Sequence, residues 1–141
     1  MCRGVLDARR VATDSKEIIR LRLLIVDDNA QFLEAARALL ERQSVEVVAT
    51  VSNGADAERA VRELRPDCVL LDIGLGVESG FDVATRLAAE DGPYVVLISV
   101  YSESEYVDLI ANSPAVGFIP KAELSAQRIA DVLDGARGPT V

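Results

Sequence analysis

Residues 21–29 read Leu-Arg-Leu-Leu-Ile-Val-Asp-Asp-Asn, an apolar run that stops abruptly at two neighbouring aspartates, Asp27 and Asp28. Leu21 to Val26 is nearly continuous in apolar, partly β-branched residues, the pattern of a strand covered on both faces. Two adjacent carboxylates have no place inside such a strand, because unpaired buried charge is costly. The acids therefore belong where the strand leaves the sheet, and function is to be sought at that end.

The rest of the chain repeats the unit. Asn29 is placed to cap a helix running to about Arg42, with Phe32, Ala36, Leu39 and Leu40 as its inner stripe. Val45 to Thr50 is a second strand, whose Glu46 suggests a position near the sheet edge. Asn53 caps a second helix that Pro66 stops at Arg65. Asp67 to Asp72 is a third strand ending in another acid, followed by the glycine-rich loop Ile73 to Gly80 and a third helix marked by Phe81, Val83, Ala84 and Leu87. Tyr94 to Val100 is a fourth strand, residues 102–112 a fourth helix, and Val116 to Ile119 a short fifth strand. Pro120 and Lys121 follow, and a last helix runs from about Ser125 to Asp134, where Gly135 is expected to end it. Five strand-then-helix units with short loops call for an α/β domain with a five-stranded parallel sheet and helices on both faces.

Composition narrows the function. The chain has 141 residues, 50% hydrophobic and 27% charged, which suits one domain with a sizeable core. Its net charge is −8, yet residues 1–22 carry six Arg or Lys against three acids, so the remainder carries −11. A body that acidic disfavours direct nucleic-acid binding and suits cations or basic protein surfaces. There is no histidine, which removes His-based zinc sites and His general bases. Cys68, inside an apolar run, reads as a reduced core residue. No apolar stretch is long enough to span a membrane and no signal core opens the chain, so the expectation is a cytoplasmic protein without membrane contact. Residues 1–20 form an extension of unknown role that could pack on the domain or form a short helix.

In a parallel sheet all strand exits share one rim, and ligands sit where strand order reverses. With the order 2-1-3-4-5, that reversal falls between the strand ending in Asp27 and Asp28 and the strand ending in Asp72. Adjacent strands lie about 4.8 Å apart, so these three carboxylates would share one small space and raise one another's pKa values. A cation resolves the conflict, and Mg2+ suits hard oxygen ligands shared with phosphate oxygens; the Gly74 carbonyl could complete the protein's contribution. Ser99 and Lys121 lie on the same rim. They supply the hydroxyl and positive charge that a phosphoryl group on Asp72 would need, and an aspartate can act as nucleophile toward phosphorus. Taken singly, the Asp pair could be only a cap, Asp72 a local turn residue, Ser99 a backbone satisfier and Lys121 a solvated side chain. Four strand exits coinciding favours one site.

With these residues in view, the chain resembles the receiver domain of bacterial two-component response regulators over about residues 21–135, leaving 136–141 as a short tail. The matching marks are L-L-I-V-D-D-N, L-L-D-I with Gly80 eight positions after Asp72, Ser99 closing the fourth strand, and G-F-I-P-K. The resemblance implies a flavodoxin-like fold in which Asp72 accepts a phosphoryl group from the phosphohistidine of a sensor histidine kinase or phosphotransfer protein. It implies Mg2+ on Asp27, Asp28, Asp72 and the Gly74 carbonyl, with Lys121 and Ser99 on the phosphoryl oxygens. It also implies a switch coupling Ser99 to Phe118, for which a plain core role is the alternative, and rate-tuning positions at Gly74 and Tyr101. Hydrolysis would be a slow side activity rather than turnover of a metabolite.

Some positions depart from the family. Gly76 stands where proline is common, and Gly74, Gly76 and Gly80 together imply a loop that is more mobile before metal or phosphate orders it; Ala122 replaces a proline after Lys121, where the family's cis bond, if kept, would cost about 2.5–4 kcal/mol. Seven residues from Gly135 onward are too few for an effector domain, so a single-domain regulator acting on a downstream protein is expected, with the excised receiver of a longer transcriptional regulator as the alternative. The expected output face is the fourth helix, fifth strand and fifth helix, with Tyr101, Tyr106 and Val107 contributing; it is compatible with phosphorylation-dependent homodimerisation. The first helix is where a kinase would dock. Two competing classes remain, a degenerate receiver that only binds protein and a magnesium-dependent phosphatase.

Overall fold

The computed structural model describes residues 10–13, 16–19, 21–88 and 92–136. Strands β1 (Arg22–Val26), β2 (Glu46–Val51), β3 (Cys68–Asp72), β4 (Tyr94–Ser99) and β5 (Gly117–Pro120) form one parallel sheet in the order β2-β1-β3-β4-β5. The expected topology is thus the observed one, and Glu46 does lie on an edge strand. Helices α1 (Ala30–Arg42), α2 (Gly54–Leu64), α3 (Gly80–Leu87), α4 (Val107–Ala111) and α5 (Ala126–Ala136) connect and cover it.

Side chains alternate along each central strand between two cores, because both sheet faces are covered. Leu23 and Ile25 join Cys68, Leu70, Val96, Ile98 and Ile119 beneath α1 and α5, which contribute Ala36, Leu40, Ile129 and Leu133. Leu24 and Val26 join Val69, Leu71, Val95, Leu97 and Phe118 beneath α2 and α3, which contribute Ala57, Ala60, Val83, Ala84 and Leu87. Each large aliphatic residue taken fully out of water contributes about 1.5–3 kcal/mol, against about 0–1 for an exposed ion pair, so these two layers dominate the stability. Cys68 is a free, fully buried thiol, and burial pushes its pKa up, away from reactivity.

The helix starts follow the sequence. Asn29 accepts from the Phe32 amide at 3.1 Å, Asn53 from the Asp56 amide at 2.8 Å, and Ser125 from the Arg128 amide at 3.0 Å. Each satisfies a helix N–H that has no intrahelical partner. Replacing Asn53 by Ala is expected to cost about 1 kcal/mol, read as a lower urea midpoint at unchanged slope.

Four expectations need correction. The fourth helix is not continuous over residues 102–112: a 3-10 turn, Glu103–Glu105, precedes a five-residue α4. The segment buries no residue fully, so packing gives little reason for a longer helix. The last helix runs through Gly135 to Ala136. In the N-terminal extension, Arg10–Thr13 pairs antiparallel with Lys16–Ile19, where a short helix was one expectation; the remainder of 1–20 lies outside the described residues. The loop after β3 is a small hairpin, Gly74–Leu75 paired with Glu78–Ser79 across Gly76 and Val77. Gly76 takes φ +66°, which a two-residue hairpin turn needs and only glycine adopts without strain. No cis peptide bond occurs among the described residues, the Lys121–Ala122 bond included.

Candidate functional site

The strand exits bring Asp27, Asp28 and Asp72 together, each offering a carboxylate oxygen within 4.8 Å of the others. Asp27 follows β1 and is fully buried, its amide donating to Val51 O at 3.1 Å and its Oδ1 accepting from the Asn29 amide at 2.9 Å. Asp27 Oδ2 is buried and takes no directed hydrogen bond; it faces the Lys121 ammonium at 2.6 Å. Asp28, one residue on, is exposed. Asp72 closes β3 and is 8% exposed, its Oδ1 accepting weakly from the Gly74 amide at 3.4 Å and its Oδ2 3.6 Å from Lys121 Nζ.

Burial, and next the charge of Asp27, push the Asp72 pKa up to about 6, while Lys121 and the Gly74 amide act in the opposite direction and Asp28 adds to the rise. One ammonium does not neutralise three carboxylates. A cluster of hard, anionic oxygens that is under-neutralised and has an exposed member, Asp28, fits a divalent cation of the kind that keeps waters and shares phosphate ligands. Gly74 is exposed beside it, with open space where a side chain would stand.

Lys121 begins the 3-10 turn after β5, and its ammonium lies 4.4 Å from the centre of the Phe32 ring on α1, a cation–π contact that helps hold it over the acids. Ser99 is 4% exposed at the end of β4, where the β3–β4 register sets Asp72 opposite Ile98 and the β4–β5 register sets Ser99 opposite Pro120. Its placement on the rim comes from register: the Oγ accepts from the Tyr101 amide at 3.1 Å. Tyr101 is exposed, and its ring meets Tyr106 edge-on at 6.5 Å, while Tyr106 lies 6.2 Å from Phe81. Phe118 is 5% exposed and points into the core beneath α2 and α3, with Tyr106, Ile110 and Ala115 nearby in the same cluster.

Sequence reasoning placed Phe32 on the inner stripe of α1 but not against Lys121. It also missed Glu78 and Arg86. Glu78 accepts from the Gly54 amide at 2.8 Å and pairs with Arg86 at 3.2 Å, and Arg86 pairs with Glu58 at 2.6 Å. Nothing in residue type or spacing marks those contacts, which join α2, α3 and the hairpin.

Comparison with known proteins bears on the whole arrangement. The family model described as response regulator receiver domain matches residues 23–134. The DNA-binding response regulator MtrA of Mycobacterium bovis is 36% identical over 105 residues, covering 74% of this chain and 46% of that protein. The chain thus spans about half the length of the curated relatives it matches. Among solved structures, the NarL signal receiver domain of Mycobacterium tuberculosis is 30% identical with a TM-score of 0.72, covering 85% of this chain and 98% of that one. A two-component response regulator of the LuxR family from Aurantimonas sp. SI85-9A1 is 26% identical with a TM-score of 0.73, covering 82% and 86%.

Proposed function

The chain belongs to the response regulator receiver family, and from that premise we propose that Asp72 is a transient phosphoryl acceptor serving a sensor histidine kinase or phosphotransfer protein. The observation that carries this reading is the convergence of three carboxylates and Lys121 at neighbouring strand exits. In the proposed step a carboxylate oxygen of Asp72 attacks the phosphorus of a phosphohistidine. An O–P bond forms as the N–P bond breaks, and the departing imidazole takes a proton from solvent. The receiver unit spans about residues 21–135, between the extension 1–20 and the tail 136–141.

The chain's own residues have separable tasks. Asp72 must be ionised to attack, and the Lys121 ammonium 3.6 Å away is positioned to neutralise the phosphoryl oxygens that arrive there. Asp27, already bound to Lys121 and the Asn29 amide, holds that ammonium at the rim. The Ser99 hydroxyl, which accepts from the Tyr101 amide, would turn to donate to a phosphoryl oxygen, and with it Phe118 would change its packing, which passes the signal to the α4-β5-α5 face and a downstream protein. Gly74 and Tyr101, both exposed beside Asp72 and Ser99, are the proposed rate-tuning positions. Asp27, Asp28, Asp72 and the Gly74 carbonyl would hold Mg2+, which when bound supplies charge neutralisation at the transferring phosphoryl group. Phosphotransfer from a kinase's cytoplasmic domain would place the chain in the cytoplasm. Among the described residues no helix is long and apolar enough to cross a membrane.

Intact-mass measurement tests the proposal. Incubated with a small acyl-phosphate donor and Mg2+, the chain should gain one phosphoryl group, and a chelator should prevent the gain. No adduct under conditions that label a control receiver would leave the protein-binding module standing instead, and consumption of many donor equivalents would indicate a phosphatase.

A further inference from the structure

Glu78 sits on the far arm of the hairpin that follows Asp72, opposite Leu75, one position before Ser79 pairs with Gly74. Its Oε2 accepts from the Gly54 amide at 2.8 Å, a first-turn N–H of α2 for which the helix itself offers no acceptor. Its Oε1 lies 3.2 Å from an Arg86 nitrogen on α3, and Arg86 Nε lies 2.6 Å from Glu58 Oε2 on α2. The Gly54 amide, and to a smaller extent Arg86, lower the pKa of Glu78 and keep it ionised.

The approach is close enough that a side chain at position 54 would displace the ends of Arg86 and Glu78. A Cβ there would stand 2.6 Å from Arg86, 2.8 Å from Glu78 and 2.9 Å from Val83. The hairpin's other end lies over the acids: a Cβ on Gly76, at the tip, would be 3.5 Å from Asp28 Oδ2. The same hairpin therefore borders the carboxylate cluster at its tip and is tied to two helices through one side chain on its return arm.

The geometry points to Glu78 as a positioning residue: by tethering the return arm to α2 and Arg86, it holds Gly74 and the hairpin tip in place beside Asp72 and Asp28. This assignment rests on the phosphoryl-acceptor reading above. A hairpin with two glycines in six residues has much conformational freedom to lose, and it stays in one arrangement only if something outside it is fastened. Untethered, the arrangement that accepts a cation would be one of several. Apparent affinity then falls by the fraction of time that arrangement is populated.

The test uses the full chain and Mg2+ alone, followed through backbone amide NMR shifts, with acyl-phosphate labelling measured at several Mg2+ concentrations. Glu78→Ala is expected to weaken Mg2+ binding roughly five- to tenfold, the scale of losing a helix-cap acceptor. Its labelling should slow at low Mg2+ and recover at saturation. Glu78→Gln, which keeps an acceptor for the Gly54 amide, should bind within about twofold of wild type, and Glu58→Ala, which removes only the outer partner of Arg86, should do the same. Wild-type affinity in Glu78→Ala overturns the assignment, as does an equal loss in Glu58→Ala or a Gln variant no better than Ala. A wild-type chain that is never labelled overturns the phosphoryl-acceptor reading instead, and the Mg2+ titration still decides the role of Glu78.

Discussion

Asp72→Asn is expected to take up no phosphoryl group from an acyl-phosphate donor and, in magnesium-free buffer, to be more stable than wild type at pH 7. The first effect follows from removing the nucleophile. The second follows from the pKa of Asp72, raised from 3.8 to about 6 chiefly by burial and then by Asp27. Between those values the folded chain holds a proton that the unfolded chain has released, so folding is favoured by acid. The contribution is fully present below about pH 4 and is lost as pH rises through about 6. Unscreened, a shift of this size would correspond to about 3 kcal/mol; solvent screening at the half-open rim reduces it, and the neutral Asn escapes it. Urea titrations from pH 4 to pH 7.5 should show wild-type stability falling more steeply with pH than that of the variant. Mg2+ should restore wild type most at the alkaline end, where the carboxylate is ionised. Parallel pH profiles for the two proteins would contradict the account, as would an adduct on the Asn variant.

Gly80→Ala is expected to be the most damaging single-methyl change in the loop, whereas Gly74→Ala leaves folding almost untouched. A Cβ on Gly80 would overlap the Asp72 carbonyl oxygen and the Ile73 backbone, and the Gly80 amide is already bonded to Ile73 O at 2.6 Å. Backbone cannot rotate aside as a side chain can, so β3, the hairpin or α3 must shift. Such overpacking costs about 1–3 kcal/mol or more. Gly74 has no atom within 4 Å of a built Cβ and does not share the positive φ of Gly76. Its alanine variant should unfold within about 0.5 kcal/mol of wild type. Denaturant midpoints for the two variants check both statements, and the difference between them is the quantity of interest. Equal destabilisation would mean that the close approach at Gly80 relaxes freely.

The sheet and the acids were legible because their signals are local and physically forced. Leu21 to Val26 is too apolar to be anything but covered, and Asp27, Asp28 and Asp72 have nowhere to go but a strand exit. Asn29 and Asn53 read as caps, and Ser125 as the start of the last helix, because a short polar side chain before an amphipathic run has one common use. The segment after Ser99 reads as one helix over 102–112, yet Val107 and Leu109 within it are more than half exposed, so no buried stripe holds a longer helix there. Gly135 was expected to end the last helix, but an exposed glycine costs only about 1 kcal/mol within a helix and does not by itself stop one. The hairpin at 74–79 and the Glu78 tether were invisible for a different reason. They depend on which helices the sheet order brings beside the loop, and no window of sequence contains that information.

Because β1 is apolar on both faces, sliding it by one residue would exchange Leu23 and Ile25 for Leu24 and Val26 at little cost in buried apolar surface. Hydrophobicity alone therefore does not keep the central strand in frame; its ends do. Moving one way would drag the Asp27 carboxylate into the body of the sheet. Moving the other way would pull Arg22 off Leu64 O and Arg65 O, the carbonyls it closes at 2.7 and 2.9 Å, and its amide off Asp67. The reactive rim thus doubles as an alignment stop for the strand on which its neighbours assemble.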